Sequence, residues 1–358
     1  MEWLEALVLG AVQGVTEFLP ISSDGHLLVT QMLFAWWTGV RKSGAENLFF
    51  DIILHLGTLA AIVVYYRAVV KTAVKGLLGS EDVPPVYRRH ALIRTGMLAV
   101  VATSPLIPLK LFFMKLINST FDADNPVPAG VGFLITASVL LLTAMLRKRG
   151  EAGKGPAEMT FLDALLIGIA QMFAPLPGVS RSGLTVASAL GLGLSRSWAV
   201  GFSLLIAVPA ILGAASSELL DVYKGKTVLH LTGDRVSQTL AATVLAGIIG
   251  YGAIIWLVKI VRSGKMWYFS VYLIVLGIVV LIGASRMAPR IGATPDARLE
   301  KAADRALRGS PPRVRPERTA VRHGGALDRP ERIGSRPGSR DPRAALTRGS
   351  RAPGLVLG

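Results

Sequence analysis

Long apolar segments constrain the fold of this chain more than any other feature of its sequence. A helix needs about 20 mainly apolar residues to cross about 30 Å of hydrocarbon, and six segments approach or exceed that length. They are 48–66, 91–109, 131–146, 198–215, 240–261 and 268–284. A mean hydropathy of +0.51 agrees with membrane residence. Continuous apolar runs of this length are typical of helices, so the sequence predicts an all-α polytopic membrane protein.

The last part of the chain, residues 286–358, has a different composition. It is rich in Arg, Pro, Gly and Ser, and it holds more than half of the formal net charge of +16. Because it shows no sustained apolar periodicity, we expect a disordered tail that follows a membrane domain of residues 1–285. Anionic lipid headgroups suit such a charge. Nucleic acid is not an expected partner, since no binding fold accompanies the basic residues.

Two segments resemble each other at a constant offset of 158 residues, which indicates an internal repeat. The matched pairs are Gly10 with Gly168, Gln13 with Gln171, Ser22 with Ser180, and Gly25 with Gly183. Each copy has two short apolar halves separated by Pro and Gly, at 3–18 with 27–37 and at 161–173 with 184–194. These halves are too short to span, so each pair predicts a re-entrant helical hairpin.

Three full spans separate the two hairpins, so the hairpins enter from opposite faces and their tips meet near the midplane. The sequence therefore predicts an inverted repeat of three transmembrane helices and one re-entrant hairpin in each copy, at about 1–146 and 160–285. Basic connections after residues 66, 146 and 261 place those loops in the cytoplasm by the positive-inside rule. The first hairpin then opens to the outer side.

Polar residues of the first hairpin can carry chemistry. Gln13 and Glu17 share one face of a helix that ends at Pro20, and a carboxylate at membrane depth usually lines a functional cavity. Ser22, Ser23 and His26 follow and supply candidate nucleophiles with a candidate acid or base. Two alternatives remain open, because Gln13 also suits an interhelical hydrogen bond and one of the serines also suits a helix cap.

The second hairpin has the composition of a phosphate-binding loop. Glycines such as Gly178 let the backbone approach a ligand, and amides at a helix start bind anions. Arg181 offers a planar fork that matches phosphate oxygens, although pairing with Glu17 for structure alone is the alternative. The remaining candidate phosphate ligands are Ser180, Ser182 and Thr185, together with Ser22 of the first hairpin.

Together, the two tips would form one polar cavity suited to phosphoryl transfer, where positioning and charge stabilisation do most of the catalysis. Gln13 and Glu17 are the candidate ligands of a divalent cation, Mg²⁺ or Ca²⁺, that would bridge diphosphate oxygens. Asp51 and His55 lie one turn apart on an apolar helix. Both residues are candidates to line the same cavity, and hydrogen bonding between helices is the favoured interpretation.

Two motifs, Gln-Gly-Val-Thr-Glu-Phe-Leu-Pro-Ile-Ser-Ser-Asp-Gly-His at 13–26 and Pro-Gly-Val-Ser-Arg-Ser-Gly at 177–183, resemble those of the undecaprenyl-diphosphate phosphatases, also called bacitracin-resistance proteins. The resemblance covers residues 1–284. It implies paired re-entrant hairpins, an outward-opening pocket and hydrolysis of the terminal phosphate of a C55 polyprenyl diphosphate. It also implies roles for Glu17, Ser23 and His26 in catalysis and for Arg181 in phosphate binding. Asp24 departs from the threonine common in the family.

The resemblance leaves the nucleophile open between Ser23, with His26 as its partner, and a water activated by Glu17 and His26. It further implies a protein of the bacterial inner membrane that recycles the cell-wall lipid carrier and confers bacitracin resistance. A homodimer is compatible with the sequence. The competing hypothesis is a transporter or flippase for an anionic polyprenyl lipid, because inverted repeats with broken helices are a transporter design.

Overall fold

In a computed structural model of the protein, residues 3–39, 44–108, 125–145, 153–224 and 233–291 are described. In these ranges the regular structure is helical. The longer helices are α1 (Trp3–Thr16), α2 (Ser23–Thr38), α3 (Gly44–Tyr65), α4 (Arg67–Leu77), α5 (Arg89–Thr103), α6 (Val127–Met145), α7 (Phe161–Gln171), α8 (Arg181–Gly191), α9 (Arg196–Tyr223), α10 (Gly233–Arg262) and α11 (Trp267–Ile291). The predicted tail lies outside the described residues, apart from the end of α11.

Five helices of the described ranges are long and apolar enough to cross a membrane, and a bent pair raises the number to six. They are Arg89–Pro108, Val127–Ala144, Arg196–Ser217, Gly233–Arg262 and Trp267–Ala284, with Phe50–Tyr65 and Arg67–Leu77 as the bent pair. The two helices of that pair meet at an angle of 68° next to Tyr66. The prediction of a helical, multi-pass membrane protein is therefore confirmed.

The faces of α10 show how such a helix partitions between lipid and protein. Leu240, Val244 and Ile248, one turn apart, are 58%, 62% and 67% exposed, whereas Ala242 and Ala246 are fully buried. Helices in lipid associate through small residues that let their backbones approach closely, because lipid tails are as apolar as leucine. The large apolar side chains of α10 consequently face outward, and its alanines face the protein.

Two pairs of short helices, α1 with α2 and α7 with α8, correspond to the predicted hairpins. The second helix of each pair begins earlier than the apolar pattern predicted, at Ser23 rather than residue 27 and at Arg181 rather than residue 184. The reason is a serine cap, since a cap side chain satisfies an N–H group of the first turn. The Ser22 hydroxyl accepts from the Gly25 N–H at 3.3 Å, and the Ser180 hydroxyl accepts from the Gly183 N–H at 3.0 Å.

Each short helix pair packs against a long helix from the other half of the chain. Helix α1 packs on α10, and helix α7 packs on α5. A Cβ atom on Gly10 would lie 2.5 Å from the Ala242 carbonyl oxygen, and one on Gly168 would lie 2.4 Å from that of Ala102. Glycine is therefore required at both crossings. The two matched glycines serve the same purpose, although their partners come from opposite halves of the chain.

Candidate active site between the two loops

The carboxylate of Glu17 forms the centre of the site. Glu17 follows the end of α1 and is 5% exposed. Its Oε2 atom accepts hydrogen bonds from Gln13 Nε2 at 3.0 Å and from Ser23 Oγ at 2.7 Å. The predicted helical pairing of Gln13 with Glu17 is thus present. Ser23, the first residue of α2, points its hydroxyl at the same oxygen.

Arg181 approaches this carboxylate from the second loop. Its Nη2 atom lies 2.5 Å from Glu17 Oε1, and the two residues are 164 positions apart in sequence. A guanidinium paired with a carboxylate is a strong, charge-assisted contact, and it satisfies a negative charge that would otherwise be expensive at this depth. The two loops identified in the sequence therefore meet at one ion pair.

His55 belongs to the same cluster, which the sequence analysis did not favour. Its Nε2 atom lies 3.2 Å from Glu17 Oε2 and 3.8 Å from Asp24 Oδ1. For Asp51, one turn earlier, the favoured interpretation is confirmed, because its carboxylate accepts from Gln31 Nε2 of α2 at 3.0 Å. The sequence signal for His55 was its place one turn from Asp51 on a largely apolar helix, which made both residues candidates to line the cavity.

His26 lies to one side of this cluster. Its Nδ1 atom is 2.7 Å from the Ser22 carbonyl oxygen, and its Nε2 atom is 2.7 Å from the Tyr272 hydroxyl of α11. The Tyr272 ring stacks on the imidazole with centroids 5.8 Å apart, and Phe133 meets it edge-on at 5.1 Å. The hydrogen-bond partner of Ser23 is therefore Glu17, while His26 is held by Tyr272, a residue that no sequence pattern singled out.

Ser22 has a structural part in the first loop. It caps α2 and holds His26 through its carbonyl oxygen. Its φ angle is 70°, and it is the one non-glycine residue with positive φ in the described ranges. Such a conformation costs on the order of 1–3 kcal/mol in a residue with a side chain. The strain is confined to the turn that orients Ser23 and His26.

The second loop is fixed to α6 by Thr136. The Thr136 hydroxyl accepts from the Ser180 N–H at 3.0 Å and donates to the Gly178 carbonyl oxygen at 3.2 Å. Gly178 has a φ of +81°, and a Cβ atom there would lie 2.1 Å from the Ala129 carbonyl oxygen. A Cβ atom on Gly25 would lie 2.8 Å from the Gly178 Cα atom. The backbones of the two loops therefore touch, which only glycine permits.

The hydroxyls predicted to bind phosphate are used within the protein. Ser182 donates to the Leu19 carbonyl oxygen at 2.9 Å, so it ties the second loop to the first. Ser180 and Thr185 are 1% exposed, and Thr185 Oγ1 is 2.6 Å from Ser203 Oγ. In this arrangement these three hydroxyls stabilise the loops, and Arg181 is the side chain of the second loop that contacts the Glu17 carboxylate. Their part in phosphate binding stays a prediction.

The binding of a divalent cation by Gln13 and Glu17 stays a prediction, because Glu17 is engaged in other contacts while the buried Gln13 Oε1 atom has no hydrogen-bond partner in the part of the chain that the structure describes. Both carboxylate oxygens already accept from N–H or O–H groups, two of them on Arg181 and His55. Gln13 directs its Nε2 rather than its Oε1 atom at Glu17, which suits a hydrogen bond. Among the described residues no group of three His, Asp or Glu side chains has the arrangement of a metal site. The predicted cation therefore has no preformed cage here.

The chemical capacity of the site follows from these contacts. A hydroxyl donates to a buried carboxylate, which can accept its proton. The Arg181 guanidinium contacts the other carboxylate oxygen, and a guanidinium can bind phosphate through two parallel hydrogen bonds. Fold and site together define a polytopic helical membrane protein with a polar site at the junction of two helix-breaking loops.

Comparison with known proteins identifies the family. Residues 6–279 match the family described as bacitracin resistance protein BacA, and the chain belongs to this family. It is 36% identical over 282 residues to the undecaprenyl-diphosphatase of Carboxydothermus hydrogenoformans, covering 79% of this chain and 97% of that protein. The proteins of the same name from Desulfatibacillum aliphaticivorans and Mycolicibacterium smegmatis are 35% and 34% identical, covering 79% and 78% of this chain and 99% and 96% of theirs.

Proposed function

We propose that this protein is a phosphatase that hydrolyses undecaprenyl diphosphate to undecaprenyl phosphate and inorganic phosphate. One observation carries the proposal: Arg181 and Ser23 contact the two oxygens of a single buried carboxylate, Glu17. Relatives that the chain matches over nearly their full length bear the name of this enzyme. The activity would recycle the cell-wall lipid carrier and confer bacitracin resistance. The transport alternative gains no support from these relatives.

The geometry favours Ser23 over water as the nucleophile, because Ser23 already donates to Glu17 at 2.7 Å. Ser23 Oγ attacks the terminal phosphorus, and Glu17 accepts its proton. A phosphoserine forms as the anhydride bond breaks, and undecaprenyl phosphate leaves. Glu17 passes the first proton to the departing undecaprenyl phosphate and then takes a proton from a water that attacks the phosphoserine. Ser23 Oγ leaves and receives that proton from Glu17, so inorganic phosphate is released and the starting site is restored. Direct attack by a water that Glu17 activates is the alternative, and it forms no phosphoserine.

Arg181 has the role of binding the diphosphate. The Arg181 side chain is 18% exposed, its Nη2 atom contacts Glu17, and its Nη1 atom makes only a long contact of 3.5 Å with the Ala207 carbonyl oxygen. Bidentate recognition of phosphate is the particular strength of arginine. When a diphosphate arrives, Arg181 exchanges part of its contact with Glu17 for phosphate oxygens. The released carboxylate becomes a better proton acceptor for Ser23 at the moment when the substrate is in place.

The membrane arrangement is part of the proposal. We infer an inverted repeat, supported by the matched serine caps and by the exchange of packing partners between the two halves. The protein would reside in the bacterial inner membrane with the site open to the outer side, as the basic connections predict. A homodimer remains compatible with this arrangement. A divalent cation would be recruited together with the substrate phosphates, as Mg²⁺ often is.

The decisive experiment measures inorganic phosphate released from a C55 diphosphate by the detergent-purified protein. We expect phosphate release. Parallel reactions with and without chelator test the requirement for a cation separately from the identity of the substrate. A single-turnover reaction stopped with acid tests the nucleophile, since a phosphoserine at Ser23 supports covalent catalysis. Absence of phosphate release from the folded protein would contradict the proposed function.

A further inference from the structure

Each ring nitrogen of His55 faces an oxygen atom. Its Nδ1 atom lies 2.7 Å from the Asp51 carbonyl oxygen, and its Nε2 atom faces Glu17 Oε2 at 3.2 Å. A carbonyl or ionised carboxylate oxygen can accept a hydrogen bond but cannot donate one. An imidazolium, with a hydrogen on each ring nitrogen, satisfies both of these oxygens at once. Asp24 Oδ1, at 3.8 Å from the same Nε2 atom, adds a second negative neighbour.

We propose that His55 is a positioning residue of the phosphatase site, which holds the Glu17 carboxylate in the orientation that accepts the Ser23 proton. The inference rests on the proposed function. Glu17 Oε2 accepts hydrogen bonds from Ser23 at 2.7 Å and from Gln13 at 3.0 Å, and His55 Nε2 lies at an ion-pair distance of 3.2 Å. Helices α1, α2 and α3 therefore each contribute a side chain that fixes this oxygen. His55 itself is fixed by the Asp51 backbone, which does not depend on the substrate.

The charges explain why a second cation is useful beside Arg181. Glu17 and Asp24 bring two carboxylates to the site, and Arg181 and His55 bring two cations. When Arg181 turns to the phosphate oxygens, Glu17 would lose its strongest partner in a site of low polarity. His55 stays in place because its own anchor is on α3. It keeps Glu17 oriented toward Ser23 during the step in which Arg181 binds the substrate.

Two substitutions separate the contacts of the two ring nitrogens. In His55→Gln the amide nitrogen can reach the place of Nε2 and donate to Glu17. In His55→Asn the shorter amide can reach only the place of Nδ1 and donate to the Asp51 carbonyl oxygen. Both variants are neutral amides of similar polarity, so they form a matched pair. The same two substitutions at His90, an exposed residue at the start of α5, are the control, because they replace a histidine by the same amides away from Glu17.

The measurements are kcat and KM for phosphate release and the thermal unfolding midpoint of each purified variant. We expect His55→Asn to lose about 10- to 100-fold in kcat, the range of a hydrogen bond to a charged group, with KM changed less than about threefold. His55→Gln should recover part of that loss, because it restores a donor to Glu17 without the charge, and both His90 variants should match the parent. A purely structural residue would lower the unfolding midpoint without this split between Gln and Asn.

Equal activity of His55→Gln and His55→Asn would overturn the inference, whether both are active or both inactive. Misfolding of either variant would assign His55 to packing and would overturn it as well. These outcomes are distinct from failure of the proposed function, because that failure shows as absence of phosphate release from the unsubstituted protein.

Discussion

The two loops have the same scaffold but carry different chemistry. Each ends in a serine that caps the following helix through the N–H of a glycine three residues later. At the offset of 158, Ser23 corresponds to Arg181, and each is the first residue of its helix. Both side chains contact Glu17, one at each carboxylate oxygen. The position that corresponds to Glu17 in the second loop is Pro175.

This difference shows how a duplicated element produces an asymmetric site. The cap fixes the first residue of each helix, so the side chain at that position points toward the junction of the loops. One copy places a hydroxyl there and the other places a guanidinium, while the acid between them comes from the first copy alone. The scaffold determines where the groups lie, and single residues determine which step each group performs.

The largest expected effect on the rate of phosphate release comes from replacing Arg181 of the second loop. Arg181→Ala leaves the buried Glu17 carboxylate without its closest cation and removes the phosphate fork. Breaking a buried ion pair costs roughly 3–5 kcal/mol of folding stability. An arginine that stabilises the transferred phosphoryl group contributes about 1,000-fold or more to the rate, so the initial rate of phosphate release should fall by about 1,000-fold. Arg181→Lys keeps the charge without the fork and should lose less. A rate for Arg181→Ala within tenfold of the parent would contradict the role of this residue.

The equivalent residue of the first loop should have the next largest effect. Ser23→Ala removes the nucleophile of the covalent route and should lower kcat by about 100-fold or more. Ser22→Ala is the matched control, because it removes a cap worth about 1 kcal/mol of stability and leaves the Ser23 hydroxyl. Acid-quenched single turnover checks both variants. Phosphoserine in Ser23→Ala, or unchanged kcat, would rule out Ser23.

Replacing Thr136, which anchors the second loop to α6, should have a smaller effect on the rate and should mainly lower the stability of the protein. Thr136→Val leaves the Ser180 N–H and the Gly178 carbonyl oxygen without their partner, at roughly 1–3 kcal/mol for each buried group. The thermal unfolding midpoint should fall, and the rate of phosphate release should fall modestly. Thr103→Val is the control, since Thr103 donates only to the Ala99 carbonyl oxygen within α5. Equal midpoints for the two variants would remove Thr136 as an anchor.

The smallest effect is expected at the edge of the first loop. Tyr272→Phe keeps the ring that stacks on His26 and removes only the hydroxyl bonded to its Nε2 atom. One such hydrogen bond is worth about 0.5–1.5 kcal/mol, so kcat/KM should fall about 2- to 10-fold. Tyr268→Phe, at an exposed position on the same helix, should leave kcat/KM unchanged. A drop as large as that of Ser23→Ala would mean that Tyr272 itself takes part in the reaction.

Much of this architecture could be predicted from the sequence because its causes are local. Apolar length predicts the spanning helices. The first short helix ends at Thr16 rather than at the predicted Pro20, because a proline ring clashes with the helical carbonyl of the residue four positions earlier. The helix starts were predicted too late, since apolar periodicity does not include the polar first turn that follows a cap. Helix α10 likewise extends from Gly233 to Arg262, beyond the predicted 240–261, because its ends continue in polar residues.

The contacts of the site were less predictable, since they join distant parts of the chain. The pairing of Glu17 with Arg181 followed from complementary charges on two matched loops. His55 and Tyr272 lie on long helices, and their approach to Glu17 and His26 depends on how those helices pack. Periodicity reports which face of a helix is polar, but it does not report which loop that face will meet.

The Glu17–Arg181 contact also has a consequence for biosynthesis. A ribosome makes residue 17 long before residue 181, and 164 positions separate the two partners. Until the later segment emerges and inserts, the nascent chain must keep this acid protonated, hydrated or sheltered by the insertion machinery. The Glu17–Arg181 contact can therefore form only after the second loop has been synthesised and inserted.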